Sequence, residues 1–161
     1  MGTATAREAL EAARTNRTLD EIEAAADWLG KAWGVASVFR EATEDAGTTV
    51  LSAAHMLETL RSFLEEAAPV VADVSAHASG CVHRAFGVGS ILLKRMQAAI
   101  AEDARCGAGE RCAAWSWSGR AIEDELQMAM QTMQRVAIAV RGVRRWQELI
   151  GIRKSTIAAQ T

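Results

Sequence analysis

From Ile22 onward, apolar or small side chains recur at strictly alternating spacings of three and four residues: Ile22, Ala25, Leu29, Ala32, Ala36, Phe39, Thr43, Ala46, Val50, Ala53, Leu57, Leu60, Leu64, Ala67, Val71, Val74, Ala78 and Cys81. A strand repeats every second residue, whereas three-and-four spacing returns to one side of a helix, so the pattern commits this half of the chain to helical packing. Only Thr43 is a polar lapse. A second run, Ile122, Leu126, Ala129, Met133, Val136, Val140, Val143, Gln147 and Ile150, repeats the spacing near the C-terminus. Met130, Ala137, Ala139 and Trp146 flank it and widen the stripe beyond a two-helix seam, so this helix needs several neighbours.

Composition agrees. Half of the residues are hydrophobic, tyrosine is absent, and one proline serves 161 residues, so strand formers and chain breakers are both scarce. The expected fold is all-α: one domain over residues 1–161, an elongated, mostly antiparallel bundle of three to five helices with coiled-coil-like seams.

Punctuation within the stripes sets the expected elements. A short helix covers 3–15, and Thr18 with Glu21 forms a capping box at the start of the next. From there a long helix or a helical hairpin runs over 18–79. Gly47 followed by Thr48 and Thr49 suits a stop and restart, while Glu44 and Asp45 sit badly at a helix C-terminus; the break is the favoured reading, and Pro69 either interrupts or kinks the segment after it. Gly80, Gly87 and Gly89 suggest a turn after Ala78, then a helix over 84–105. The stretch "RCGAGERCAAWSWSG" reads as a loop over 106–119, and the long C-terminal helix covers 120–151.

Chemistry-bearing residues are few. His77, Cys81 and His83 are the candidate metal ligands, because imidazole and thiolate suit zinc-like ions and residues four apart share a helical face. Cys81 and His83, however, lie about 200° apart on a helix, so all three converge only if the helix ends near Gly80. His55 lies opposite the seam and reads as a solvated side chain. Cys106 and Cys112 match no common zinc spacing and read as reduced thiols, with a disulfide as the oxidised alternative. "FGVGS" lacks the context of a phosphate-cradling loop. Trp117-Ser118-Gly119 resembles the Trp-x-Gly turn of small helical-hairpin secretion substrates, but the likeness covers three residues of a chain that has no tyrosine for that family's C-terminal signal. Neither a catalytic residue nor a cofactor is assigned.

Charge is unevenly placed. Residues 1–80 carry 6 Lys/Arg against 13 Asp/Glu, and residues 81–161 carry 12 against 7. Two such halves are expected to pack on one another, within a chain or between subunits. Arg135, Arg141, Arg144, Arg145, Arg153 and Lys154 form the alternative, an anion- or nucleic-acid-binding face beside Trp146. The first residues hold no apolar core of signal-peptide length, and Asp73, His77, His83 and Arg84 interrupt the most apolar region, so neither export signal nor membrane span is expected and the cytoplasm is the expected compartment.

The functional expectation is a non-enzymatic assembly or adaptor subunit, a homo-oligomer or part of a larger complex. Its expected contact residues are Trp115, Trp117, Trp146 and the last-helix seam from Ile122 and Leu126 through Met133, Val136, Val140 and Val143 to Ile150. A nucleic-acid-binding accessory subunit and a small metal-binding bundle around His77 and Cys81 are the alternatives.

Overall fold

The computed structural model describes residues 14–45, 47–100 and 110–158. They form four helices: α1 (Leu19–Glu44), α2 (Val50–Val74), α3 (Ala76–Ile100) and α4 (Glu110–Ala158). The helix expected over 3–15 lies outside the described residues.

Local chemistry sets each boundary. The Thr18 hydroxyl accepts from the Glu21 amide, and the Glu21 carboxylate accepts from the Thr18 amide at 2.7 Å, which completes the expected capping box. Asp45, unfavourable as a last helical residue, sits instead outside α1, where its carboxylate accepts from the Gly47 amide at 2.9 Å and the Thr48 hydroxyl at 3.0 Å. Thr49 then caps α2 through the Ser52 amide. The stop and restart at 45–49 is therefore the structure's solution, and the stripe is two helices in phase.

Between α2 and α3 the chain reverses through a single residue. Ser75 is extended, with φ −145° and ψ 113°, and its side chain accepts from the Ala78 amide at 3.4 Å. The Arg61 guanidinium lies 5.3 Å from the centre of the Phe86 ring, which pairs residues roughly equidistant from Ser75 and makes the two helices antiparallel. This corrects three expectations. The helix ends at Val74 rather than 79, the next begins at Ala76 rather than 84, and Gly80, Gly87 and Gly89 lie inside it. A helical glycine costs about 1 kcal/mol relative to alanine, which burial of Ala78, Cys81, Val82, Ala85, Leu92, Leu93 and Met96 in the same helix exceeds.

Pro69 neither breaks nor ends α2. It lies on the exposed side, as does Glu65, whose carbonyl loses its helical donor. Because the ring is exposed, Pro69→Ala is expected to raise stability by about 1–3 kcal/mol through the restored hydrogen bond and helix propensity. Urea unfolding followed by circular dichroism measures it, and an unchanged midpoint would contradict the account.

Helix α4 spans 49 residues, about 74 Å at 1.5 Å per residue, against 25 or 26 residues in each of the others. It begins at Glu110, so the part of the expected 106–119 loop that is described is helical, and it outlasts the expected end at 151. Ser118 stays compatible with the helix by donating its hydroxyl to the Ala114 carbonyl at 2.9 Å.

Each helix runs antiparallel to the next, and α4 closes the square against α1, leaving α1 opposite α3 and α2 opposite α4. Trp28 stacks on Phe63 at 5.5 Å between α1 and α2. Every described member of the first stripe is buried in the shared core with Ile122, Leu126, Ala129, Met133, Val136 and Val140 of α4. The Thr43 lapse is resolved locally: its hydroxyl donates to the Arg40 carbonyl at 2.7 Å, so a fully buried polar group is satisfied. The all-α bundle is the fold of the described chain.

Candidate interaction surfaces

Helix α3 separates the candidate metal ligands. His77 and His83 are exposed on different sides, while Cys81 is fully buried between them. Burial pushes the Cys81 thiol above its ordinary pKa, and a hydrogen bond to Glu125 adds to the shift, which favours the neutral thiol. Among the described residues no group of three His, Cys, Asp or Glu is placed to hold a metal. Cys106 and the Cys112 side chain lie outside the described ones.

Around Cys81 the chemistry is structural. Arg84 grips Glu125 of α4 with two hydrogen bonds, 2.7 and 2.9 Å, and also donates to the Cys81 sulfur at 3.4 Å. The Arg84 bond holds the Glu125 carboxyl below the ordinary glutamate value; Glu21, accepting from the Thr18 amide, and Asp45, accepting from the Gly47 amide, are lowered as well. Carboxyls lowered on folding contribute stability that is present above their unfolded pKa and lost as pH falls from there through the lowered folded value. Stability is therefore expected to decline below about pH 4.5. The triple variant Glu21→Gln, Asp45→Asn, Glu125→Gln should be less stable at pH 7 and show a shallower acid slope; parallel profiles in urea melts between pH 7 and 3 would refute this.

The basic residues divide. Arg141 is ion-paired with Glu23 of α1. Arg135 is half-buried and donates to the Thr132 hydroxyl at 3.4 Å, whereas Arg144 and Arg145 are exposed. The side chains of Arg153 and Lys154 lie outside the described ones. Other cross-helix pairs join Arg17 to Asp73 at 2.7 Å and Arg40 to Glu123 at 2.9 Å, and the Arg141 pair links an arginine of the basic half to an acid of the acidic half.

The expected contact residues also divide. Trp115 is only 6 % exposed, and Ile122, Leu126, Met133, Val136 and Val140 line this chain's own core. They hold the bundle together and present nothing outward. Val143 is half-buried, while Trp117, Trp146 and Ile150 are exposed. Sequence reasoning missed Met128, Ile138 and Leu149, three further large apolar residues open to solvent on α4. Their signal was a second, weaker stripe on the opposite side of the same helix.

Two shallow grooves accompany these faces. One, of about 490 Å³, lies between α1 and α4 and is lined by Ala26, Gly30, Met130, Ala137 and Ile138 with Glu23, Asp27 and Arg141 at its edge. The other, about 420 Å³, lies between α1 and α2 around Gly34, Val38, Met56 and Phe63. Both are open and mostly apolar, suited to packing of a side chain or helix. Among the described residues no helix is long and apolar enough to cross a membrane. Comparison with protein-family models, curated proteins and solved structures finds no match to the chain.

Proposed function

We propose that the protein is a non-catalytic assembly subunit that works through exposed faces of its long last helix. The observation that carries this reading is the reach of α4. Glu23, in the second turn of α1, pairs with Arg141, so the bundle ends within a few residues of that level. Beyond it, residues 144–150 are all exposed, with Trp146 at 68 %, Leu149 at 53 % and Ile150 at 46 %. Side chains of this size on a projecting helix are what a protein contact would cover.

Light scattering on the full chain is expected to give a multiple of 17.3 kDa, or a complex with a stoichiometric second protein. A single-chain mass at the highest soluble concentration, with no such complex, would defeat the proposal. Exposure of Arg144 and Arg145 beside Trp146 favours a second reading, phosphate or nucleic-acid binding at the same projection. That reading requires an affinity that falls steeply with salt and with Arg144 and Arg145 replaced together by Gln; absence of binding to single- and double-stranded oligonucleotides at low salt removes it.

A further inference from the structure

Beside Trp146 (68 %), the side of α4 turned away from the core exposes Trp117 (73 %), Met128 (42 %), Ile138 (56 %) and Leu149 (53 %). Successive intervals are 11, 10 and 11 residues, the same read from either end. Trp117 and Ile138 are separated by three heptads, as are Met128 and Leu149, and the two pairs are offset by a heptad plus four; together they occupy the d and a positions of one seam. Ala121, Asp124, Gln131, Arg135, Gly142 and Arg145 fill the intermediate positions of this seam; Arg135 is half-buried and the other five are exposed.

A palindromic stripe on one helix is complementary to itself when a second copy is laid antiparallel across a two-fold axis. We propose that α4 pairs antiparallel with α4 of a second copy of this chain, Trp117 against Leu149 and Met128 against Ile138, each contact made twice. The proposal rests on the assembly reading above and gives it a partner and a register.

Charge selects the same arrangement. In this register the flanking positions bring Arg120 opposite Glu148 of the second copy, an opposite-sign pair formed twice, and place Asp124 about one turn from the second copy's Arg145. Gln134 meets its own counterpart and Gln127 meets Arg141, so like charges are not opposed in this row. Parallel pairing in register would set Asp124 on Asp124 and Arg145 on Arg145, the arrangement that like-charge repulsion disfavours. The geometry also accounts for the length of α4. Its projecting segment, residues 144–150, would lie along residues 116–122 of the other copy, so Arg145 would face Ala121 and Trp146 would lie level with Arg120 instead of standing in water.

The test uses the full chain. Sedimentation is expected to show a dimer, and Ile138→Asp, a substitution at an exposed position, should weaken it about 30-fold or more while leaving helical circular dichroism unchanged. Arg120→Glu should also weaken the dimer, and adding Glu148→Arg should restore it. In a Cys106→Ser, Cys112→Ser background, oxidising a mixture of Met128→Cys and Ile138→Cys chains should cross-link one to the other, whereas neither alone should. A monomer at every concentration overturns both this pairing and self-association through α4. An oligomer that ignores Ile138→Asp and lacks the 128–138 cross-link, or one formed only with a different protein, overturns this pairing and leaves the assembly reading standing. If Ile138→Asp loses helicity, the charge-reversal rescue and the cross-link decide.

Discussion

Gly119→Leu is expected to destabilise the bundle by about 2–3 kcal/mol, because α1 passes close to α4 where Gly119 has no side chain. A Cβ built there would lie 3.2 Å from a ring carbon of Phe39 and 3.3 Å from the Cα of Arg40. The phenylalanine could turn slightly; the Arg40 backbone moves only if α1 moves. Such a shift would also disturb the Arg40–Glu123 pair at 2.9 Å and the hydrogen bond, 2.5 Å, from Ser116 to Glu44. Gly119→Ala separates the two opposing effects. Its gain in helix propensity, about 1 kcal/mol, works against the crowding, so alanine should fall within about 1 kcal/mol of the wild type while leucine falls well below it. Gly87 supplies the control, since a Cβ there meets nothing within 4 Å and Gly87→Ala should stabilise by about 0.5–1 kcal/mol. Urea midpoints for the three variants settle the matter, and a Gly119→Leu protein as stable as the wild type would show that the helices slide freely at this contact.

Gly119 also marks where the sequence was misleading. "WSWSG" has loop composition, and propensity alone gives no reason to place Ser116, Ser118 and Gly119 in a helix. The reason is tertiary: Trp115 is buried, Ser118 bonds back to Ala114, and the glycine admits α1. Gly80, Gly87 and Gly89 misled in the same way, and the reversal at Ser75 was hidden because a one-residue turn leaves no polar stretch. By contrast, the seam was legible through the described residues from Ile22 to Cys81 and from Ile122 to Val140, where hydrophobic spacing reports burial directly, and it failed only at Val143, Gln147 and Ile150, past the end of the neighbouring helices. The 45–49 break was legible too, because its side-chain caps are local. Periodicity could not tell whose helix covers a seam. Ile122 to Val140 were therefore expected at an interface and are instead covered by this chain's own α1 and α3, while the sparse outer stripe of Trp117, Met128, Ile138 and Leu149 was diluted by polar residues in a single-helix count.

Phe39→Ala should produce the larger loss, about 3–5 kcal/mol, because the ring is fully buried and its removal combines lost transfer energy with a cavity between close-packed helices. The value alone would say little, as many core aromatics cost as much. Its coupling to Gly119 is more informative. Phe39 is the movable half of the obstacle at that position and Arg40 the fixed half. In the double variant Phe39→Ala, Gly119→Leu, the leucine can enter the volume the ring vacated, so it should destabilise less than the two single losses combined, by at least about 1 kcal/mol. Full recovery is not expected, since the Arg40 backbone still lies 3.3 Å from the new Cβ. A double-mutant cycle in urea measures the difference. Strict additivity would mean that Phe39 and Gly119 do not share one space, and the close approach of α1 and α4 would then need another cause.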